Sequence, residues 1–420
     1  MSGRLRKIDV IIVVALIIIA GIFLYKAGYI SPLTPEPDII PPEDIEPPQP
    51  LPIPPESLII PGYMRAVSAK DEGAHFDSLR ICREWWYWSA VLDGKDSELD
   101  GWTVVVSFNH MAHRDLRGTL KPDLLVVTLH GPNGEEYGGM INKKRGFGII
   151  YPPTLEAKSP GVCLKYEDSW AEGRAPEWHV HAEDKEIDEK HEIIIDLDFF
   201  SPSEPLWTLG ERAFQKTKSK IANYVYIGCN VTGTINIDGE DFEVKGVGYH
   251  EHSWTPNIIT RRIVNGWDWF HMTLDNGWNI YFSNYYPFPQ FISTMTTRLN
   301  PISTLVITTT QGKTLTILDN VNLKITKSNR VFLFVKMPSE FSLEGKPDLL
   351  QPILKTYKIK LDIKIEAENT YEKLWKFPTY LGMKVGMSIV SGKITWSDGD
   401  GSYEVDLNGV ATSWSMRALL

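Results

Sequence analysis

The sequence predicts an all-β fold: two lipocalin-like antiparallel β-barrels behind one N-terminal transmembrane helix and a Pro-rich linker. Three observations carry that expectation. Short apolar and alternating runs recur beyond residue 65, turn dipeptides separate them, and one aromatic segment occurs twice with the same internal order. The 14 Trp and 17 Tyr among 420 residues suit strands, whose pleated surfaces favour aromatic and β-branched side chains.

The N-terminal part stands apart. Residues 10–25 form an apolar run without a charge, and Ala27-Gly-Tyr-Ile30 lengthens it beyond Lys26. A bilayer span takes roughly 20 residues, which the run reaches if Lys26 snorkels to the interface. Arg4, Arg6 and Lys7 precede it, and Glu36, Asp38, Glu43, Asp44 and Glu46 follow. The positive-inside rule then places the N-terminus in the cytoplasm and the remainder outside. A cleaved signal peptide is the rival reading, but no clean small-x-small site follows the run. The expected location is the cell membrane, single-pass, with the C-terminal domains extracytoplasmic. From Pro32 to Pro61 proline recurs among acids. Proline fixes φ and removes donors, so this reads as a polyproline-II stalk reaching ~90 Å at ~3.1 Å per residue. A disordered spacer is the alternative, with the same consequence of reach.

Strand candidates follow in order: Trp102-Thr-Val-Val-Val-Ser-Phe108, Leu124-Leu-Val-Val-Thr-Leu129, His191-Glu-Ile-Ile-Ile-Asp-Leu197, Thr232-Gly-Thr-Ile-Asn-Ile237, Thr314-Leu-Thr-Ile-Leu318 and Ile359-Lys-Leu-Asp-Ile-Lys-Ile365. Pro132-Asn-Gly134, Asp238-Gly239, Asp275-Asn-Gly277 and Ser397-Asp-Gly-Asp-Gly401 supply turns. Helical candidates are few, residues 203–209 and 369–375. The repeat is Trp85-Trp-Tyr-Trp-Ser-Ala-Val-Leu-Asp93 before Gly101-Trp102, against Trp267-Asp-Trp-Phe-His-Met-Thr-Leu-Asp275 before Gly277-Trp278. It implies two halves of similar plan. The expected division is 1–30 for the cytoplasmic tip and anchor, 31–62 for the stalk, 63–240 for the first barrel and 241–420 for the second.

A net charge of −10 argues against nucleic-acid binding, which needs a basic face. Cys82, Cys163 and Cys229 lack zinc-knuckle or CxxC spacing, leaving one disulfide with a spare thiol, or three buried thiols, as alternatives. Asn230-Val-Thr232 is a weak glycosylation sequon, and Asp398-Gly-Asp-Gly401 reads as a hairpin turn, since it lacks a calcium loop's closing Glu.

Two motifs carry the chemistry. In Arg83-Glu-Trp-Trp-Tyr87, strand alternation puts Glu84, Trp86 and Trp88 on one face and Trp85 and Tyr87 on the other. With both faces aromatic, this strand is expected at the domain interface. In Gly248-Tyr-His-Glu-His-Ser-Trp254, His250, His252 and Trp254 share one face, and Tyr249, Glu251 and Ser253 the other. The two imidazoles admit three readings: hydrogen-bonded core residues, groups that position or protonate an apolar ligand, or a His-x-His metal pair completed by Glu251, His271 or His110. His179-Val-His181 is a second such pair, with a stronger structural reading.

These two motifs, with Leu92-Asp-Gly94, resemble the paired signatures of the carotenoid 1,2-hydratase/AttH family, over roughly residues 65–420. The resemblance implies two lipocalin-like barrels, a hydrophobic and often isoprenoid ligand, and a His-x-Trp pair working with a Tyr and a nearby Asp that protonates a double bond. His252 and Trp254 match the pair and Tyr281 the Tyr, whereas Ser283 stands where the carboxylate is expected. The candidate catalytic residues are therefore His252, Asp268 and Glu84, with Trp86, His250, Trp254 and Tyr281 as ligand-binding residues around an enclosed cavity. Glu84 has the alternative role of pairing with Arg83 or accepting backbone N–H bonds. No cofactor or metal is expected; the partners are a hydrophobic small molecule (lipid or isoprenoid) and the membrane. The expected function is ligand binding with acid-initiated hydration, cyclisation or isomerisation of an alkene. A non-enzymatic lipid carrier or a cell-envelope binding or structural module is the alternative.

Overall fold

The computed structural model describes residues 66–75, 82–93, 98–110, 123–141, 154–185, 191–209, 222–256, 264–287, 303–309, 312, 314–319, 321–332, 335–345, 360–375, 380–397 and 402–419. The expected anchor and stalk lie outside these residues; among the described residues no helix is long and apolar enough to cross a membrane.

The chain forms two curled antiparallel sheets. The first holds β1 (Cys82–Asp93), β2 (Thr103–His110), β3 (Leu124–His130), β4 (Glu136–Ile141), β5 (Glu156–Ala157), β6 (Val162–Tyr166), β7 (Ser169–Arg174), β8 (Glu177–Asp184), β9 (Ile193–Phe200), β10 (Leu206–Leu209), β11 (Ala222–Ile237) and β12 (Glu240–Pro256). The second holds β13 (Val264–Leu274), β14 (Trp278–Pro287), β15 (Ser303–Thr309), β16 (Thr314–Asp319), β17 (Asn322–Phe332), β18 (Val335–Gly345), β19 (Lys360–Glu366), β20 (Thr370–Trp375), β21 (Tyr380–Ser397), β22 (Ser402–Asp406) and β23 (Gly409–Leu419). Their orders are 4-3-2-1-12-11-9-8-7-6-5 and 16-15-14-13-23-21-19-18-17.

The two orders share one plan. In each half the aromatic opening strand pairs with the second strand on one side and with the last on the other, as the internal repeat suggests. Among the described residues no ladder joins the terminal strands, and the strands described form two half-barrels. The first nonetheless curls on itself, since the Tyr166 hydroxyl of β6 donates to the Ile141 carbonyl of β4 at 3.4 Å. The division expected at 240/241 falls in the β11–β12 hairpin, and β12 stays with the first sheet through Pro256. Both helical candidates contain strands instead: β10 pairs with β11 and β20 with β21, the ladders overriding weak helical patterning. Cys163 and Cys229 are free and buried.

Burial tells which strands are covered twice. β8, β9 and β19 alternate buried with partly or fully exposed residues, whereas β2 and β3 are buried throughout. The inner faces of the two sheets each carry a core, and a third apolar cluster holds Trp85, Tyr87 and Tyr249 of the first sheet against Trp267, Trp269, Tyr281 and Trp414 of the second. Ser89 and Thr412 hydroxyls bond across it at 2.8 Å. At one crossing β21 carries Gly386, with φ +149°, where a Cβ would lie 2.8 Å from the His130 ring. Any side chain would drive the sheets apart there.

A short segment before β1 enters the first half-barrel. Ser68 caps the one-turn helix Ala69–Glu72, its side chain accepting from the Asp71 N–H while the Asp71 carboxylate accepts from the Ser68 N–H. Glu72 is buried, and its Oε1 accepts the Ala175 N–H at 2.9 Å and the Trp178 Nε1–H at 3.0 Å. The Glu72 carbonyl accepts the Trp86 Nε1–H at 2.9 Å. Burial pushes the Glu72 carboxyl up to about 8, against those two donors. A raised acid binds a proton in the fold that the unfolded chain has released, so its contribution is present below pH 4.5 and is lost as pH rises through about 8. Glu72→Gln keeps the acceptor and carries no charge. It should remove a fall on the order of a few kcal/mol across that window, read as urea midpoints at pH 5 and pH 9. Some slope should remain, because Glu251 titrates in the same direction. An unchanged slope would assign Glu72 no role in it.

Candidate functional site

β1 and β12 are neighbours in register, Trp86 opposite His252 and Trp88 opposite His250, so their alternating side chains build two sites on opposite faces of one ladder. On the inner face Trp86 stacks on His252 with centroids 4.5 Å apart, and Trp88 on His250 at 4.5 Å. Trp254 lies 3.8 Å from the His75 ring, nearly parallel. His250, His252 and Trp254 are thus packed among other rings, essentially without exposure, where the sequence led us to expect them around an enclosed space. The reason is the segment before β1, which brings His75 and Glu72 onto this face.

Glu84 lies at the centre of the inner face. Its Oε1 accepts from His252 Nε2 at 2.9 Å and His75 Nδ1 at 2.8 Å, and its Oε2 accepts the His75 backbone N–H at 2.8 Å. Burial alone would raise this carboxyl, but hydrogen bonds from His252 and His75 outweigh it and hold the group at about 2. Burial pushes His252 down to about 4, against the pull of Glu84. Near neutral pH Glu84 is therefore a carboxylate that accepts from His75 and from a neutral His252, and not the proton donor the sequence suggested. Among the described residues, His75, Glu84 and His252 are the group whose donor atoms converge closely enough to hold a metal ion, all within 4.8 Å. His250 is not part of it; its Nδ1 meets the Tyr87 carbonyl at 3.1 Å.

The outer face of the same ladder meets the second sheet. Glu251 is fully buried there; its Oε1 accepts the Trp85 Nε1–H at 2.8 Å and its Oε2 accepts the Tyr249 hydroxyl. Burial pushes its carboxyl up to about 7, even against these donors. Tyr249 stacks on Tyr281 at 5.6 Å and on His271 at 5.2 Å, residues paired across β13 and β14. Trp85 lies 5.8 Å from Trp267 and 6.0 Å from Trp269, closing the other side with indole faces. Among the described residues, both His271 nitrogens and the indole N–H groups of Trp267, Trp269 and Trp414 reach no hydrogen-bond partner, although all are buried. Burial also keeps His271 neutral, its pKa at about 3.

Asp268 lies on the opposite face of β13 from Trp267 and Trp269. It accepts two bonds from Arg417 Nη2, at 3.0 and 2.8 Å, and the Tyr286 hydroxyl at 2.6 Å. The expected acid is thus a salt-bridge partner on the second sheet's inner face, not grouped with His252.

No protein-family model matches the chain, and no curated protein matches it. Solved structures do. A Nitrosomonas europaea protein assigned as an AttH aligns over 88% of this chain and 99% of its own, with a TM-score of 0.51 and 16% identity. This chain has the AttH-like two-domain fold. Kievitone hydratase from Nectria haematococca aligns over 87% of it and 94% of its own length (TM-score 0.52, 10% identity), and CghA over 81% and 89% (TM-score 0.51, 12% identity).

Within this AttH-like architecture the sequence-derived residues divide. Glu84, Trp86, His250, His252 and Trp254 come together on the inner face, Tyr281 lines the interface, and Asp268 stands elsewhere. Glu251 and His271 were missed as candidates for the acid chemistry. The alternation that sets Glu251 opposite His252 was visible, and so was a place for the Glu84–Trp88 strand at the domain interface; that β12 pairs with this strand and turns Glu251 to the same interface was not. Ser283 leaves β14 without a carboxylate near Tyr281, and Glu251 supplies one from the facing sheet, close enough to act electrostatically on the Tyr281 hydroxyl.

Proposed function

We propose that this AttH-like chain is a membrane-tethered, extracytoplasmic enzyme that protonates a carbon–carbon double bond of an apolar lipid or isoprenoid ligand held between its two sheets. The observation that carries the reading is Glu251, a buried carboxyl raised to about 7 between indole and phenol rings. An acid for an alkene must be protonated near neutral pH and shielded from water, and an apolar aromatic site provides both. The Glu251 proton adds to one alkene carbon and the π electrons form that C–H bond. The positive charge left on the other carbon faces Trp85, Trp267 and Trp269, whose π-faces stabilise cations. A water oxygen then bonds to that carbon, oriented by neutral His271 or Tyr281, and its proton returns to the Glu251 carboxylate. In a cyclisation a second double bond takes the place of water.

The hydratase among the structural neighbours is consistent with such chemistry. Incubating the purified chain with polyprenoid alkenes in D2O tests it: carbon-bound deuterium in a hydrated or cyclised product is expected. An alkene retained on the protein but recovered unchanged and unlabelled would make the protein a carrier instead.

A further inference from the structure

We propose that His75, Glu84 and His252 form a binding site for one divalent transition-metal ion of the zinc class, on the inner face of the first sheet. This site is separate from the Glu251 interface and does not depend on the reading given to it. Two imidazoles and one carboxylate are a donor set that suits zinc, cobalt and ferrous ions better than magnesium or calcium. The ring nitrogens of His75 and His252 stand 2.8 and 2.9 Å from the same Glu84 oxygen. Tetrahedral zinc with bonds of about 2.0–2.1 Å spaces its ligand atoms about 3.3 Å apart, so each nitrogen need draw back from Glu84 Oε1 by only a few tenths of an ångström, and all three atoms already lie within 4.8 Å of one another.

The surroundings hold these groups as a metal site's outer layer does. The Tyr224 hydroxyl lies 3.2 Å from His252 Nδ1, the nitrogen turned away from the cluster. With the His252 proton on Nδ1 and donated to the Tyr224 oxygen, Nε2 presents its lone pair to the ion, and no net proton need leave. The His75 backbone N–H donates to both Glu84 oxygens, at 2.8 Å to Oε2 and 3.0 Å to Oε1, and so holds the carboxylate in place with Oε1 beside the two imidazoles. Trp254 against His75 and Trp86 against His252 fix both ring planes. Glu84 and His252 sit on adjacent paired strands, and His75 comes from the segment entering the half-barrel, so an ion there would clasp that segment to the sheet. Three protein ligands leave a fourth position for water or another donor.

The test uses the full chain in detergent, stripped with chelator, reloaded with zinc sulfate and dialysed. One zinc per chain is expected by mass spectrometry of the metal, with cobalt giving the visible bands of a tetrahedral site. His75→Ala and Glu84→Gln should abolish retention, circular dichroism confirming the fold. Tyr224→Phe should weaken zinc about 10- to 100-fold, and His179→Ala, on the surface, should change nothing. Absence of retained zinc, cobalt or ferrous iron in the folded wild type would overturn the proposal, as would undiminished zinc in both His75→Ala and Glu84→Gln.

Discussion

Glu251→Gln is expected to remove turnover while leaving the fold intact. The amide oxygen still accepts from Trp85 or Tyr249, so the interface keeps its packing, but no acidic proton remains to transfer. General acids contribute about 10²- to 10⁴-fold, and the loss should appear in kcat with KM nearly unchanged, because the proposed binding rests on the aromatic walls. The wild-type pH profile of kcat should fall on the alkaline side near pH 7, where the raised carboxyl ionises. The variant's residual rate should lack that limb. Deuterium incorporation at carbon is the direct readout, and undiminished incorporation in Glu251→Gln would remove this residue from the mechanism. Replacing Tyr281 with Phe is a useful companion, since it deletes one buried hydroxyl and keeps the ring.

Asp268→Asn is expected to act on stability. Asp268 is completely buried and faces Arg417, whose guanidinium also donates to the carbonyls of Trp267 at 3.0 Å and Met416 at 2.8 Å and lies 4.7 Å over the Tyr286 ring. Neutralising the acid leaves the arginine charge largely buried without its counter-charge. Breaking such a pair from one side costs about 3–5 kcal/mol. The unfolding free energy from urea titration should fall by that amount with an unchanged slope, while deuterium incorporation per folded molecule stays at the wild-type level. Full stability with lost turnover would reverse the assignment and return Asp268 to the role of acid.

Much of the architecture was legible in the residues. The period-two patterning of Glu84 to Trp88 and of Tyr249 to Trp254 correctly separated the faces of β1 and β12, since Glu84 meets His252 and Trp85 meets Glu251 across that ladder. The aromatic repeat correctly matched the opening strands of two similar sheets. The roles of the faces were less legible. Pattern alone treats the histidine-bearing face as the ligand face because its residues are chemically conspicuous. The sequence places Glu251 only on the other face of its strand, with Tyr249 and Ser253, and as a candidate third metal ligand. Asp268 looked like an acid between indoles, yet its neighbours in sequence point to the opposite side, and Arg417 lies 149 residues away.

The sequence by itself determined the all-β class, the doubled plan and which side chains share a face, because alternation is a property of the extended backbone and needs no partner. Tertiary structure alone decided what each face meets. The second sheet removes water from Glu251 and so turns an ordinary carboxyl into an acid poised near neutrality. The segment before β1 carries His75 to Glu84, and its hydrogen bonds with those of His252 keep that carboxyl ionised though equally buried. Desolvation and hydrogen bonding depend on atoms brought close by folding, which no local pattern encodes.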